Sequence, residues 1–298
     1  MDGNTTIKLD AGLFFTDAPS MKSWRHVAVI CECKLQQKAD QQKAQQQLKR
    51  AAELVFAFQP RLFLWGLSVY SEDVSHQKRY IFRLYLFTRS GIICSKKYNL
   101  ENEFCQFCDL LVGFARLTPE EHGWYLLHYG STFQFPSSVV PNGGILNIPS
   151  FQETLTLRIT LAVKRGIQGR ATLVLGCTNE KNEPRVVKLT WLSMGRAERY
   201  RRSLKLVTEK VKNSPRVLFS EILSRNGADC TVHQILRERG RDDAFTEWLE
   251  GQEFPNSYLF CDIGDRVGKT LWEEMSLENV FRTFREVVTR EYVTLSGI

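Results

Sequence analysis

The stretch Trp24-Arg-His-Val-Ala-Val-Ile-Cys-Glu-Cys-Lys34 most constrains what this chain can become. Its apolar, β-branched run reads as a buried strand, and it ends in Glu32-x-Lys34. Side chains alternate across a strand, so Glu32 and Lys34 leave it on the same face, one pleat apart. A carboxylate and an ammonium at the end of a buried strand cost free energy unless they pair or serve chemistry. Two readings follow: a structural Glu–Lys pair, or part of a site that needs a second carboxylate. Upstream sits Asp17, in Phe14-Phe-Thr-Asp-Ala-Pro19, although Thr-Asp-Ala-Pro is also ordinary turn chemistry.

At 298 residues the chain exceeds a typical single domain, so two domains are expected. With 43% hydrophobic and 24% charged residues it has the make-up of an ordinary soluble protein. No run approaches the roughly 20 apolar residues of a membrane span. The start, Met1-Asp-Gly-Asn-Thr5, lacks the basic and apolar regions of a secretory signal. Eight scattered cysteines suggest reduced thiols and an intracellular setting, cytoplasm or nucleus, with a secreted-effector origin left open. Cys105-Gln-Phe-Cys108 reads as buried core thiols rather than a metal or redox site.

Net charge is +7 and uneven. Between Arg185 and Arg216 ten Lys or Arg face only Glu198 and Glu209. Such a stripe suits the phosphates of a nucleic acid or a nucleotide; a solvated helix face is the plainer alternative.

Beyond the Glu-x-Lys strand, residues 38–58 read as a helix ended by Pro60, with Leu48, Ala51, Ala52 and Val55 at helical spacing. Strands are expected at 62–70, 79–88 and 92–94, then a helix over 101–114. The segment Pro136–Gly144 has linker composition. Strands follow at 155–163, 171–177 and 185–191, and a helix at 196–212. A strand at 217–219, a helix over 231–250, a strand at 257–262 and a helix over 277–289 complete the chain. The fold class is α/β (α+β): a mixed sheet flanked by helices over 1–135, a linker over 136–150, and a mainly antiparallel sheet with helices over 151–298.

An Asp followed by a strand carrying Glu-x-Lys resembles the PD-(D/E)xK nuclease pattern. That resemblance implies that Asp17 and Glu32 bind Mg²⁺ or Mn²⁺, that Lys34 helps orient the attacking water, and that Gln47 adds a polar contact.

In the second half, a hairpin, a third strand bearing Val186-Val-Lys188, and a following helix resemble the opening of a protein kinase small lobe. Its turn, Gly166-Ile-Gln-Gly-Arg-Ala-Thr172, lacks the usual three-glycine pattern. Together the halves resemble the fungal-type protein kinase family. The matching stretches include Trp24–Lys34, Phe58-Gln-Pro-Arg61, Phe87-Thr-Arg-Ser-Gly91, Gly169–Thr172, Val186–Trp191, Arg196-Ala-Glu198 and Gly268–Leu271. Crinkler-type effectors carry a similar pairing of nuclease-like and kinase-like regions. The resemblance implies ATP binding through Gly169, Arg170, Thr172 and Lys188, with Lys188 held by Glu198 or, alternatively, Glu209. The residues given end at Ile298, where the resemblance would place the catalytic His-Arg-Asp loop, so a complete kinase is not expected of them.

The expected function is therefore a metal-dependent nuclease-like protein fused to an incomplete kinase-like domain. A non-catalytic module for nucleic acid or a protein partner (a pseudoenzyme) and an ATP-binding part of a longer kinase are the alternatives. Nucleic acid is expected at the basic surface, and no membrane partner.

Overall fold

The apolar run before Glu32 forms β2 (Val27–Lys34), buried along most of its length. It is an interior strand, flanked by the short β1 (Ala11–Phe14) and by β3 (Phe63–Val74). A computed structural model describes residues 10–14, 24, 27–35, 40–59, 61–74, 77–118, 121–123, 145–148, 150–163, 166–167, 171–210, 216–225, 228–239 and 255–265. β1 pairs antiparallel with β2, whereas β2 and β3 are parallel. Parallel neighbours need a crossover, and α1 (Asp40–Phe58) supplies it. Ala44, Leu48, Ala51, Ala52 and Val55 recur at helical spacing and are fully buried, which fixes the face that α1 turns to the sheet.

β4 (Gln77–Thr88) returns antiparallel to β3, and β5 (Ile92–Cys94) and β6 (Tyr98–Asn99) both pair with β4. Gly66 keeps the sheet flat beneath α1, because a Cβ there would lie 2.7 Å from the Phe87 ring. α2 (Phe104–Arg116) covers the other face with Phe107, Leu110, Leu111 and Phe114. That orientation turns Cys105 outward to solvent and leaves Cys108 only half-buried, which corrects the expectation of core thiols.

The second sheet begins with β7 (Ile145–Asn147), a strand inside the segment expected to be linker. β8 (Thr154–Val163), β9 (Leu173–Thr178) and β10 (Pro184–Leu192) form an antiparallel meander. α3 (Met194–Lys210) follows, then β11 (Val217–Ile222). A small pair, β12 (Ser224–Arg225) and β13 (Ala228–Asp229), precedes α4 (Val232–Arg239) and β14 (Tyr258–Gly264). The spatial order β11-β14-β10-β9-β8-β7 places β14 between β10 and β11. The fold is thus mixed α and β, mostly strands, built on two six-stranded sheets with four helices among the described residues.

One face of the second sheet, with Val187, Leu189, Trp191, Cys261 and Ile263, joins Leu62, Phe63 and Leu86 of the first sheet's half in a shared core. The helix expected over 231–250 appears as α4, while residues 240–250 of it lie outside the described residues. So do the helix expected over 277–289 and the Gly268–Leu271 segment. None of the described helices is long and apolar enough to cross a membrane.

Candidate functional site

Glu32 and Lys34 leave β2 on the α1 side of the first sheet, and register extends that face into β3. Glu32 pairs with Ser68 and Lys34 with Tyr70. In-register neighbours point the same way, so a carboxylate, an ammonium and two hydroxyls share one patch. Glu32 is 1% exposed, and Lys34 Nζ lies 2.5 Å from its Oε1. The contact is close but poorly angled, and both Glu32 oxygens lack a directed hydrogen bond. Among the described residues Gln47 Oε1, also buried, has no hydrogen-bond partner either. Gln47 stands on α1 between the sheet-facing Ala44 and Ala51, one position before Leu48.

The second carboxylate comes from Asp10. Ala11 pairs with Cys31, so the residue before it falls beside Glu32. Asp10 Oδ2 accepts from Lys34 Nζ at 3.1 Å and from the Cys33 backbone N–H at 3.1 Å. Lys34 therefore bridges two carboxylates at the C-terminal end of β2. Asp17, expected in this role, lies outside the described residues. The antiparallel pairing puts the start of β1, not its end, next to Glu32. Sequence signals for Asp10 were thin: one Asp before a four-residue apolar strand.

The three charges respond to burial differently. Burial pushes the Glu32 carboxyl up and outweighs the pull of the adjacent Lys34 ammonium. Asp10 feels burial too, but its bonds from Lys34 and the Cys33 N–H carry it below the usual carboxylate range. Burial disfavours the Lys34 ammonium, yet Glu32 and Asp10 together hold its pKa above the ordinary lysine value.

A hard divalent cation takes oxygen ligands. The Glu32 carboxylate, ion-paired with Lys34, the Asp10 carboxylate and the buried Gln47 oxygen are that kind of donor, so the residues present fit such an ion. Among the described residues no three His, Cys, Asp or Glu gather in one place, so at least one donor would be neutral or solvent.

The second sheet carries a different cluster, on the face opposite the shared core. Lys188 in β10 pairs with Asp262 in β14, which in turn pairs with Ser220 in β11. Lys188 Nζ donates to the Tyr200 hydroxyl at 2.7 Å and sits 4.7 Å from the centre of its ring. The hydroxyl donates to Asp262 Oδ2 at 2.6 Å, and Ser220 Oγ donates to Oδ1 at 2.8 Å. Burial raises the Asp262 pKa against the opposing effect of Tyr200, Ser220 and Lys188.

Ala197 and Tyr200 turn α3 toward this face, next to Leu192, Phe260 and Ile222. Glu198 is exposed, the side chain of Glu209 lies outside the described residues, and Tyr200 of α3 reaches Lys188. Thr172 is half-buried just before β9, and Gly169 and Arg170 lie outside the described residues. Tyr200, Ser220 and Asp262 were missed by sequence reasoning because strand pairing between β10, β14 and β11 assembles them. Along the outer side of α3, Arg196, Arg199, Arg201 and Arg202 are all exposed.

A family model described as fungal protein kinase matches residues 9–290. No curated protein matches the chain.

Proposed function

The chain belongs to the fungal protein kinase family, and from that premise we propose that it acts on phosphate esters, hydrolysing a phosphodiester with a divalent metal held by Asp10 and Glu32 beside Lys34. The observation that carries this reading is Glu32: a carboxylate 1% exposed, with the Lys34 ammonium 2.5 Å away and shared with a second carboxylate, Asp10. Such a group costs stability where it stands, and a cation ligand would repay its burial. On this reading residues 1–135 form a PD-(D/E)xK nuclease-like domain, joined through 136–150 to a kinase small-lobe-like domain over 151–298, as in Crinkler-type effectors.

Asp10, Glu32 and the Gln47 oxygen would hold Mg²⁺ or Mn²⁺, which when bound would supply Lewis acidity and a water of lowered pKa. Lys34, released from one carboxylate, would donate to a phosphoryl oxygen and keep its charge at neutral pH. Ser68 and Tyr70 offer hydroxyls on the same face. The exposed arginines of α3 suit a polyanionic substrate, and such contacts weaken with salt.

Incubating the protein with labelled single- and double-stranded DNA in Mg²⁺ or Mn²⁺ tests the reading. Cleavage is expected in wild type and lost on Asp10→Asn. Cleavage that survives both Asp10→Asn and Glu32→Ala would sink it.

A second reading is favoured by the other cluster: Lys188 on the third strand of an antiparallel meander, with α3 packed on its face. A strand lysine so placed is the phosphate contact of protein kinases. We propose that Lys188 contacts the phosphates of ATP bound with Mg²⁺. A ligand of the native state raises the melting temperature. MgATP is expected to raise that of wild type and not that of Lys188→Met; equal responses in the two would remove Lys188 from the site.

A further inference from the structure

Resting on the nucleotide reading of the second sheet, we propose that Tyr200 and Asp262 are positioning residues for Lys188: the phenol passes the charge of Asp262 to the ammonium and aims it at a phosphoryl group. In protein kinases a carboxylate on the helix holds the strand lysine directly. Here Tyr200, a neutral α3 side chain, meets Lys188, and a carboxylate stands behind it on β14.

The geometry is that of a complete chain of donors. Lys188 Nζ to Tyr200 Oη is 2.7 Å, Tyr200 Oη to Asp262 Oδ2 is 2.6 Å, and Ser220 Oγ to Asp262 Oδ1 is 2.8 Å. Asp262 is 6% exposed and belongs to a strand held on both sides, by β10 and β11. Lys188 is only half-buried, so the ammonium at the end of the chain faces a place a ligand can reach. Hydrogen bonds to charged groups in a dry setting are the stronger ones, and a chain of them polarises along its length. A buried carboxylate reached through a phenol thus fixes the direction of the Lys188 ammonium.

Two measurements on the full chain test the relay. In the first, the rate at which Lys188 is modified by an amine-reactive acetylating reagent is followed by peptide mass spectrometry, without nucleotide. Tyr200→Phe and Asp262→Asn are each expected to raise that rate several-fold. The double variant should be no faster than the faster single, because both cut one chain. An unchanged rate in Asp262→Asn, or fully additive rates, would overturn the proposal.

In the second, MgATP affinity is measured by calorimetry. Each single variant is expected to weaken binding about tenfold, the size of one charged hydrogen bond, and to have no further effect once Lys188 is methionine. A loss that persists in the Lys188→Met background would mean that Tyr200 merely holds α3 in place, and would overturn the relay. Tighter binding by Tyr200→Phe would also overturn it, making the phenol a competitor for Lys188. Wild type that binds no MgATP, with Lys188 modification still released by Asp262→Asn, would sink the nucleotide reading while leaving the relay standing.

Discussion

Glu32→Gln is expected to reduce metal-dependent cleavage by more than about a hundredfold, beyond what loss of a supporting group around a metal costs, while making the protein more stable at pH 7. The two effects have one cause. Burial raises the Glu32 pKa in spite of Lys34, so the folded state holds the proton more tightly than the unfolded chain. A carboxyl raised in this way contributes its stability below the unfolded value of 4.5 and loses it as pH climbs through the folded pKa. At pH 7 the wild type therefore bears the cost of a buried charge that the glutamine lacks. Lys34 loses little, because it is 25% exposed and keeps the bond it donates to Asp10. Thermal unfolding of the two proteins in parallel at pH 7 and pH 4 checks the sign. The glutamine variant should melt higher at pH 7, and the gap should close toward pH 4. A variant that melts lower at pH 7 would show that Glu32 serves structure first.

The largest loss of stability is expected at Arg61. Its side chain is 1% exposed and donates to three carbonyls: Nη1 to Ala28 and His122 at 2.9 and 3.0 Å, and Nη2 to Val27 at 2.7 Å. Burial alone draws its pKa down to about 9. Those acceptors lie at the entry of β2 and in the 121–123 turn, where Gly123 takes φ 86° and a Cβ would lie 2.2 Å from the Phe63 carbonyl oxygen. Arg61→Ala takes these donors from the buried Ala28 and His122 carbonyls, at about 1–3 kcal/mol each before relaxation, while the Val27 carbonyl keeps the Gln59 amide at 3.0 Å. Urea unfolding should report a net loss of about 3–5 kcal/mol. Arg61→Lys should recover little of it, because an ammonium cannot reproduce the planar fork. A loss below about 1 kcal/mol, within the range of surface changes, would mean that water replaces the guanidinium.

What could be read in advance depended on how local the signal was. β2 and α1 announced themselves through long apolar periodicities, and β5 was bounded correctly by the turn at Ser90-Gly91. Glu32 and Lys34 stood out because alternation within a single strand decides their common face. Asp10 did not, because its place follows from the register of a four-residue strand against β2. Lys188 was visible in its own strand, but a helix partner was sought at Glu198, two residues before the Tyr200 that reaches it. The pairing of Lys188 with Asp262 joins strands separated by α3, β11 and α4, and no periodicity encodes it. The outward turn of Cys105 was equally hidden, since which stripe of α2 meets the sheet depends on the aromatic side chains it has to cover.

The turn between β8 and β9 binds the two sheets in a way their topology does not require. Gly166 offers its carbonyl to Arg89 at 3.1 Å, and Arg89 lies flat on Phe56 of α1, 4.1 Å from the ring centre. Ile167, next in the chain, is 2% exposed among Leu48, Ala51, Val55, Leu64 and Phe87, in the layer that also carries Ile30, two residues before Glu32. The hairpin tip works as a keystone, a single aliphatic side chain of one sheet closing the vault of the other. A fragment that stopped near residue 140 would keep α1 yet open a hole beside it, and the complementary fragment would present a bare isoleucine to water. Neither half is a free-standing brick, and substitutions at Val55 or Phe87 must satisfy a neighbour encoded 112 or 80 residues away.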